Sequence, residues 1–191
     1  VPKGAEQKQV RDVDGDGKGD TLYLNAAGSA GIQLGIQTAS GAQLVAGVST
    51  AAPVGPSAVV IDPTGTGSPL DVIVQSREAY VYTISGCQLV PVKDSKGAPY
   101  VFGMGWSGIG TGMGCSTVTG RTGLVGLDAK KQADGSWSIT RTAVIQTGTT
   151  AANGPSDTVK AAEGSAALKS AQGIVSCGDV TMAEDGVSVT G

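Results

Sequence analysis

The chain predicts an all-β fold of antiparallel sheet repeats, and three features of its 191 residues carry that expectation. Glycine supplies 31 residues, more than twice the usual share of roughly 7%, in short pieces between runs rich in Val, Thr and Ile. Such alternation of β-branched runs with turn residues marks short strands joined by tight turns and argues against a helical bundle. Only one Phe, two Trp and four Tyr supply aromatic volume, so the core must be built from Val, Ile, Leu and Ala. The third feature is an internal repeat whose first copy lies near the amino terminus.

That copy reads Asp12-Val13-Asp14-Gly15-Asp16-Gly17-Lys18-Gly19-Asp20 and runs into the alternating Thr21-Leu22-Tyr23-Leu24. Four carboxylates so closely spaced cannot pack in an apolar core, and unneutralised they repel one another. A hard divalent cation resolves the conflict, because Ca²⁺ takes about six to eight oxygens from an irregular loop. One Ca²⁺ site is therefore expected, with side-chain oxygens from Asp12, Asp14, Asp16 and Asp20 and the backbone carbonyl of Lys18. Gly15, Gly17 and Gly19 let the chain curl tightly enough for alternate residues to point inward. A solvated acidic turn is the plain alternative, since Asp-Gly pairs mark turns by themselves. Four aspartates in one alternating register favour the metal loop. An EF-hand is excluded, because its twelfth position needs a bidentate Glu and Tyr23 stands there.

The segment from Ser57 to Val74 repeats this outline 50 residues on. Asp62 stands where Asp12 stands, Thr64 and Thr66 replace Asp14 and Asp16, and Leu70 replaces Asp20. A third copy follows after another 53 residues, with Cys115, Thr117, Thr119 and Gly123 at the ligand positions. Threonine hydroxyls can hold a turn by bonding to nearby amides, so the second and third copies are expected to be metal-free.

The first loop with its flanking strands, echoed at 62–74 and 115–127, resembles the FG-GAP/VCBS repeat family of β-propeller modules. The resemblance covers roughly residues 8–150 by the motif's own limits. It implies four-stranded blades with the calcium loop between the first two strands, and here a small or incomplete β-propeller-like assembly of three to four blades. A single domain over 1–191 is expected, with repeats at about 8–55, 56–105 and 106–150, and closing strands and a short helix over 151–191.

In order along the chain, strands are expected at 21–25, 31–38 and 43–48, turning at Gly28, Gly31 and Gly41. The second repeat supplies 71–75, 79–84 and 88–92, with Ser85-Gly86 as a hairpin turn. The third supplies 124–128 and 136–146, joined through Ala133-Asp134-Gly135. Pro53, Pro56, Pro63, Pro69 and Pro91 fall at strand edges, where a missing N–H does no damage. Asn153-Gly154-Pro155 predicts a turn. Segment 159–171 has helix-forming Ala, Lys, Glu and Leu, interrupted by Gly164. Segments 173–177 and 180–182 predict a closing strand pair.

Gly103-Met104-Gly105-Trp106-Ser107-Gly108 matches a dinucleotide fingerprint literally. The glycine-rich continuation to Gly114 cannot start the helix that this chemistry needs, so a flexible loop is expected. Phe102 and Trp106 could touch a ligand there, although packing roles suit each better.

The chain contains no histidine, which removes Ser-His-Asp and Cys-His catalysis and the usual zinc sites. Glu78, Glu163 and Glu184 show no spacing that suggests a poised acid and base. No catalytic or cofactor-binding residues are assigned. Three cysteines allow one disulfide and one leftover thiol. On the blade arrangement Cys87 lies on the rim of the metal-type loops and Cys115 opens the next loop, while Cys177 could equally claim Cys115. Cys87–Cys115 is favoured because it closes the shorter segment.

A net charge of −3 without a basic cluster argues against a nucleic-acid backbone or an anionic membrane as partner. No apolar run approaches the ~18 residues of a membrane span. Val1-Pro2-Lys3 has the look of a cut edge, consistent with a removed leader and a lipid anchor. A calcium loop suits the outside of a cell. The function expected is an extracellular or cell-surface, calcium-stabilised, non-catalytic binding or scaffold module for a protein or glycan ligand, with homo-oligomers allowed. The alternative is a secreted hydrolase with a carboxylate-lined cleft between repeats.

Overall fold

Strand alternation sorts the chain into three sheets stacked face to face. The structure is a computed structural model and describes residues 1–26, 31–48, 55–67, 70–105 and 110–189. In chain order, β1 (Glu6–Val10), β2 (Asp20–Ala26), β3 (Ile32–Gln37) and β4 (Gln43–Val48) form an antiparallel meander, the first sheet. β5 (Ser57–Ile61), β6 (Asp71–Gln75), β7 (Glu78–Ser85) and β8 (Gln88–Pro91) repeat that meander in the second sheet, and β9 (Val101–Gly103) pairs with the start of β7. The third sheet is built on β10 (Gly110–Val118), β11 (Arg121–Lys131), β12 (Trp137–Thr147) and β13 (Thr150–Ala161).

After a short helix, α1 (Ala166–Ser170), the chain adds β14 (Ser176–Cys177) parallel to β10 and then β15 (Val180–Thr181). A single turn, α2 (Met182–Asp185), leads to β16 (Val187–Ser188), which pairs with the free edge of β5. None of the sheets forms a closed barrel, and among the described residues no helix is long and apolar enough to cross a membrane.

The middle sheet is apolar on both sides. Ala58, Val60, Val72 and Val74 meet Leu22, Leu24, Leu34, Ile36 and Leu44 of the first sheet. On the other side Val59, Ile61, Ile73 and Val81 meet Phe102, Met113, Leu124 and Val144. This explains why Ala58-Val59-Val60-Ile61 is a continuous apolar run while the first sheet alternates. Each Val or Ile so buried contributes about 1.5–3 kcal/mol. Every other residue of the first sheet faces away from the core, which places Gln9, Thr21, Gln37 and Gln43 in one row across its outer side. On that side Tyr23 is fully buried, its ring lying over Gly35.

Several expectations need correction. Residues 159–161 belong to β13 and only Ala166–Ser170 is helical, with Ser165 accepting from the Leu168 N–H as its cap. Pairing of Val159, Lys160 and Ala161 with Ile139, Ser138 and Trp137 overrides their helix propensity. Asn153-Gly154-Pro155 is not a turn but a bulged stretch of β13, where the register slips between Thr142 and Val144. Pro155 is tolerated because β13 is an edge strand. The glycine-rich stretch does not form a loop throughout: Gly103 ends β9, and Gly110–Gly114 lie in β10. Phe102 is buried between the second and third sheets. Trp106, Ser107, Gly108, Gly28, Pro53 and Pro69 lie outside the described residues.

Candidate metal centre

The first loop joins β1 to β2, two antiparallel strands that fix both of its ends. Asp12 organises it: Oδ1 accepts from the N–H of Gly15 at 2.6 Å and of Asp14 at 3.2 Å, and Oδ2 accepts from Gly17 at 2.6 Å. Gly15 and Gly17 take φ of 82° and 84°, a left-handed conformation that glycine enters freely. The Gly17 N–H above all, with that of Gly15, holds the Asp12 carboxyl below the usual carboxylate range.

Asp20, at the first position of β2, is buried and accepts from the N–H groups of Val13 at 2.7 Å and Ala39 at 2.8 Å. Carboxylate oxygens of Asp12, Asp14 and Asp20 come within 4.8 Å of one another. That is the spacing of oxygens able to share one metal ion. Asp16 and Lys18 are exposed on the same loop, where Asp16 Oδ1 accepts from the Lys18 N–H at 2.8 Å. Asp16 is therefore not one of the three clustered carboxylates.

Two contributors escaped the sequence. The β3–β4 turn folds back onto the loop, and Ser40 Oγ donates to Asp14 Oδ2 at 2.9 Å while bonding to Thr38 Oγ1 at 2.8 Å. Hydroxyls in a Thr-Ala-Ser-Gly turn are too common to signal this. Arg11 is the second: its Nη1 donates to Asp62 Oδ2 of the second loop at 3.0 Å.

The second loop repeats the two glycine bonds that curl the first. Asp62 Oδ1 accepts from Gly65 at 2.8 Å and Oδ2 from Gly67 at 2.7 Å, and those glycines take φ of 73° and 88°. Thr64 Oγ1 donates to Asp62 Oδ1 at 3.2 Å and shares a bond with Thr66 Oγ1 at 2.7 Å. Burial works to raise the Asp62 carboxyl. The N–H groups of Gly67 and Gly65, the Thr64 hydroxyl and the Arg11 guanidinium outweigh it and hold the carboxyl below its ordinary value. A positive charge, the Arg11 guanidinium, thus faces this carboxylate.

The third copy does not share this architecture. Cys115 and Thr117 lie within β10, Gly123 lies in β11, and Thr119-Gly120 is the tight turn between them. The fourth loop position, Gly15 and Gly65 in the other copies, is Val118 here. A β-branched residue resists the positive φ that the curl demands. Compared with family models, curated proteins and solved structures, the chain matches none.

The disulfide also differs from the favoured pair. Cys115 bonds to Cys177, and Cys87 is a free, exposed thiol in the β7–β8 turn. The parallel bridge of Gly114 to Ser176 brings those two strands together, a placement local sequence does not encode.

Proposed function

We propose that this chain is a calcium-stabilised, non-catalytic β-repeat module of a propeller-like kind, serving as a scaffold or binding unit outside the cell. The observation that carries the reading is the convergence of the Asp12, Asp14 and Asp20 carboxylates in a loop already curled by Asp12. Three like charges so close are costly unless a cation joins them. Two successive meanders, each with such a loop between its first two strands, support the blade reading. A disulfide agrees with an oxidising compartment. Against hydrolysis, Asp62 has both oxygens occupied by four donors, from Gly65, Thr64, Gly67 and Arg11. It is poorly placed to exchange a proton with a substrate.

Calorimetric titration with Ca²⁺ should show one site, and Asp14→Asn should weaken it without unfolding the chain, since Asp14 is exposed. At calcium concentrations 100-fold above the dissociation constant, binding should add about 2.7 kcal/mol. Chelation should then lower the melting temperature by about 5–10 °C for a domain of this size. Identical melting curves with calcium and with excess chelator would sink the reading.

A further inference from the structure

A cleft of about 570 Å³ opens beside the second loop, between it and the β10–β11 and β14–β15 segments. Its volume falls within the range of small-ligand sites, roughly 300–1,000 Å³. Three properties of the lining define what it fits. The first is a pair of hydroxyls, Thr117 and Thr122, directly opposite across β10 and β11 and bonded to each other at 2.7 Å. Each can donate and accept. The second is an apolar surface from the Cys115–Cys177 disulfide and Val180. The third is the charge balance, in which Arg11 is offset by Asp62 and Asp179 adds a further negative charge, so an anionic guest is disfavoured. Arg11 gives one N–H to Asp62, and a guanidinium has five.

The cleft is also held in shape before any guest arrives. The disulfide ties β10 to β14, and Asp62 is fixed by four donors. Such preorganisation reduces the ordering cost of binding. A molecule presenting both C–H faces and hydroxyls that donate and accept, without negative charge, complements this lining. We infer that the cleft binds a neutral saccharide of one or two rings. The inference names a ligand class for the binding-unit reading above and does not require the cation. Among the described residues no aromatic ring lines the cleft, so binding is weak and in fast exchange.

The test is an amide-shift titration of the full chain by NMR, with maltose, cellobiose and lactose as neutral probes and glucuronate as the charged one. The expected result is saturable shifts at Thr117, Thr122 and Gly178 with at least one neutral disaccharide and none with glucuronate. Thr117→Val with Thr122→Val should weaken that binding by at least about tenfold, and Thr122→Val alone carries the comparison if the pair unfolds. No saturable shift from any neutral probe, a preference for glucuronate, or binding unchanged in the valine variants overturns the inference. Repeating the titration in chelator keeps the two readings apart. Chelator-insensitive melting with intact cleft shifts refutes only the calcium role, and calcium-dependent melting without cleft shifts refutes only the saccharide.

Discussion

Asp71 is the residue most at odds with its surroundings. It opens β6 with 1% of its surface exposed, between the second and third sheets. Its Oδ1 accepts from Gln146 Nε2 at 3.0 Å, and the Thr83 hydroxyl adds a second bond. Burial dominates these bonds and pushes its pKa from 3.8 up to about 6. The folded state therefore holds the proton more tightly than the unfolded chain does. Stability is fully retained below about pH 4 and falls as pH rises through about 6, by a total of about 3 kcal/mol. Asp71→Asn keeps an oxygen for Gln146 and adds a donor for Thr83. It should flatten this dependence and raise neutral-pH stability by up to about 3 kcal/mol, read from urea unfolding at pH 4 and pH 7.5. A variant as pH-sensitive as the parent would show that another group is responsible.

At the scale of elements, three linkages can be tested separately. Arg11 ties the end of the first repeat's opening strand to the second loop. Arg11→Gln should speed amide exchange at Gly65 and Gly67 while leaving Gly15 and Gly17 protected, and equal loosening of both loops would refute so local a role. The Cys115–Cys177 disulfide closes 62 residues, a loop whose chain entropy corresponds to about 4 kcal/mol. Reduction should lower stability by an amount of that order in guanidinium unfolding. On the far face of the third sheet, a methyl on Gly112 would run into the Ser170 carbonyl of α1. Gly112→Ala should cost about 1–3 kcal/mol and release α1, visible as lost protection at Leu168.

These elements also mark where the sequence could be read. Leu22 and Leu24 alternate with polar neighbours, and the strand they predict is present. Thr64-Gly65-Thr66-Gly67 kept the glycine placement of the first loop, and the curl survived the loss of carboxylates. The third copy kept the hydroxyls but put Val118 where glycine is needed, so the likeness lay in side-chain chemistry and not in backbone freedom. The cysteine pair and the strand at 159–161 depended on partners elsewhere in the chain, Ser176 beside Gly114 and Ile139 beside Val159. No local pattern reports such partners. Ser40 reaches Asp14 through a turn that only folding brings near.

For the whole molecule, the stack of three sheets has one outer side rich in amides. Gln9, Thr21, Gln37 and Gln43 form one row there, with Gln9 Nε2 donating to Thr21 and Gln43 Nε2 to Gln37. Side chains already bonded to one another offer little to a further sheet, much as polar end repeats stop a solenoid. Light scattering should accordingly report a single 18.8 kDa chain, and a stable dimer whose interface protects this row would contradict it.

The pairing of β16 with β5 has a consequence for how the molecule is made. Ser57 and Ser188, 131 positions apart, share a hydroxyl bond at 2.7 Å across that pair. During synthesis the central layer must wait with the β5 rim bare until Val187 and Ser188 have emerged. A naked rim of this sort recruits any extended neighbour, so crowding on the ribosome is where this protein is most exposed to mispairing.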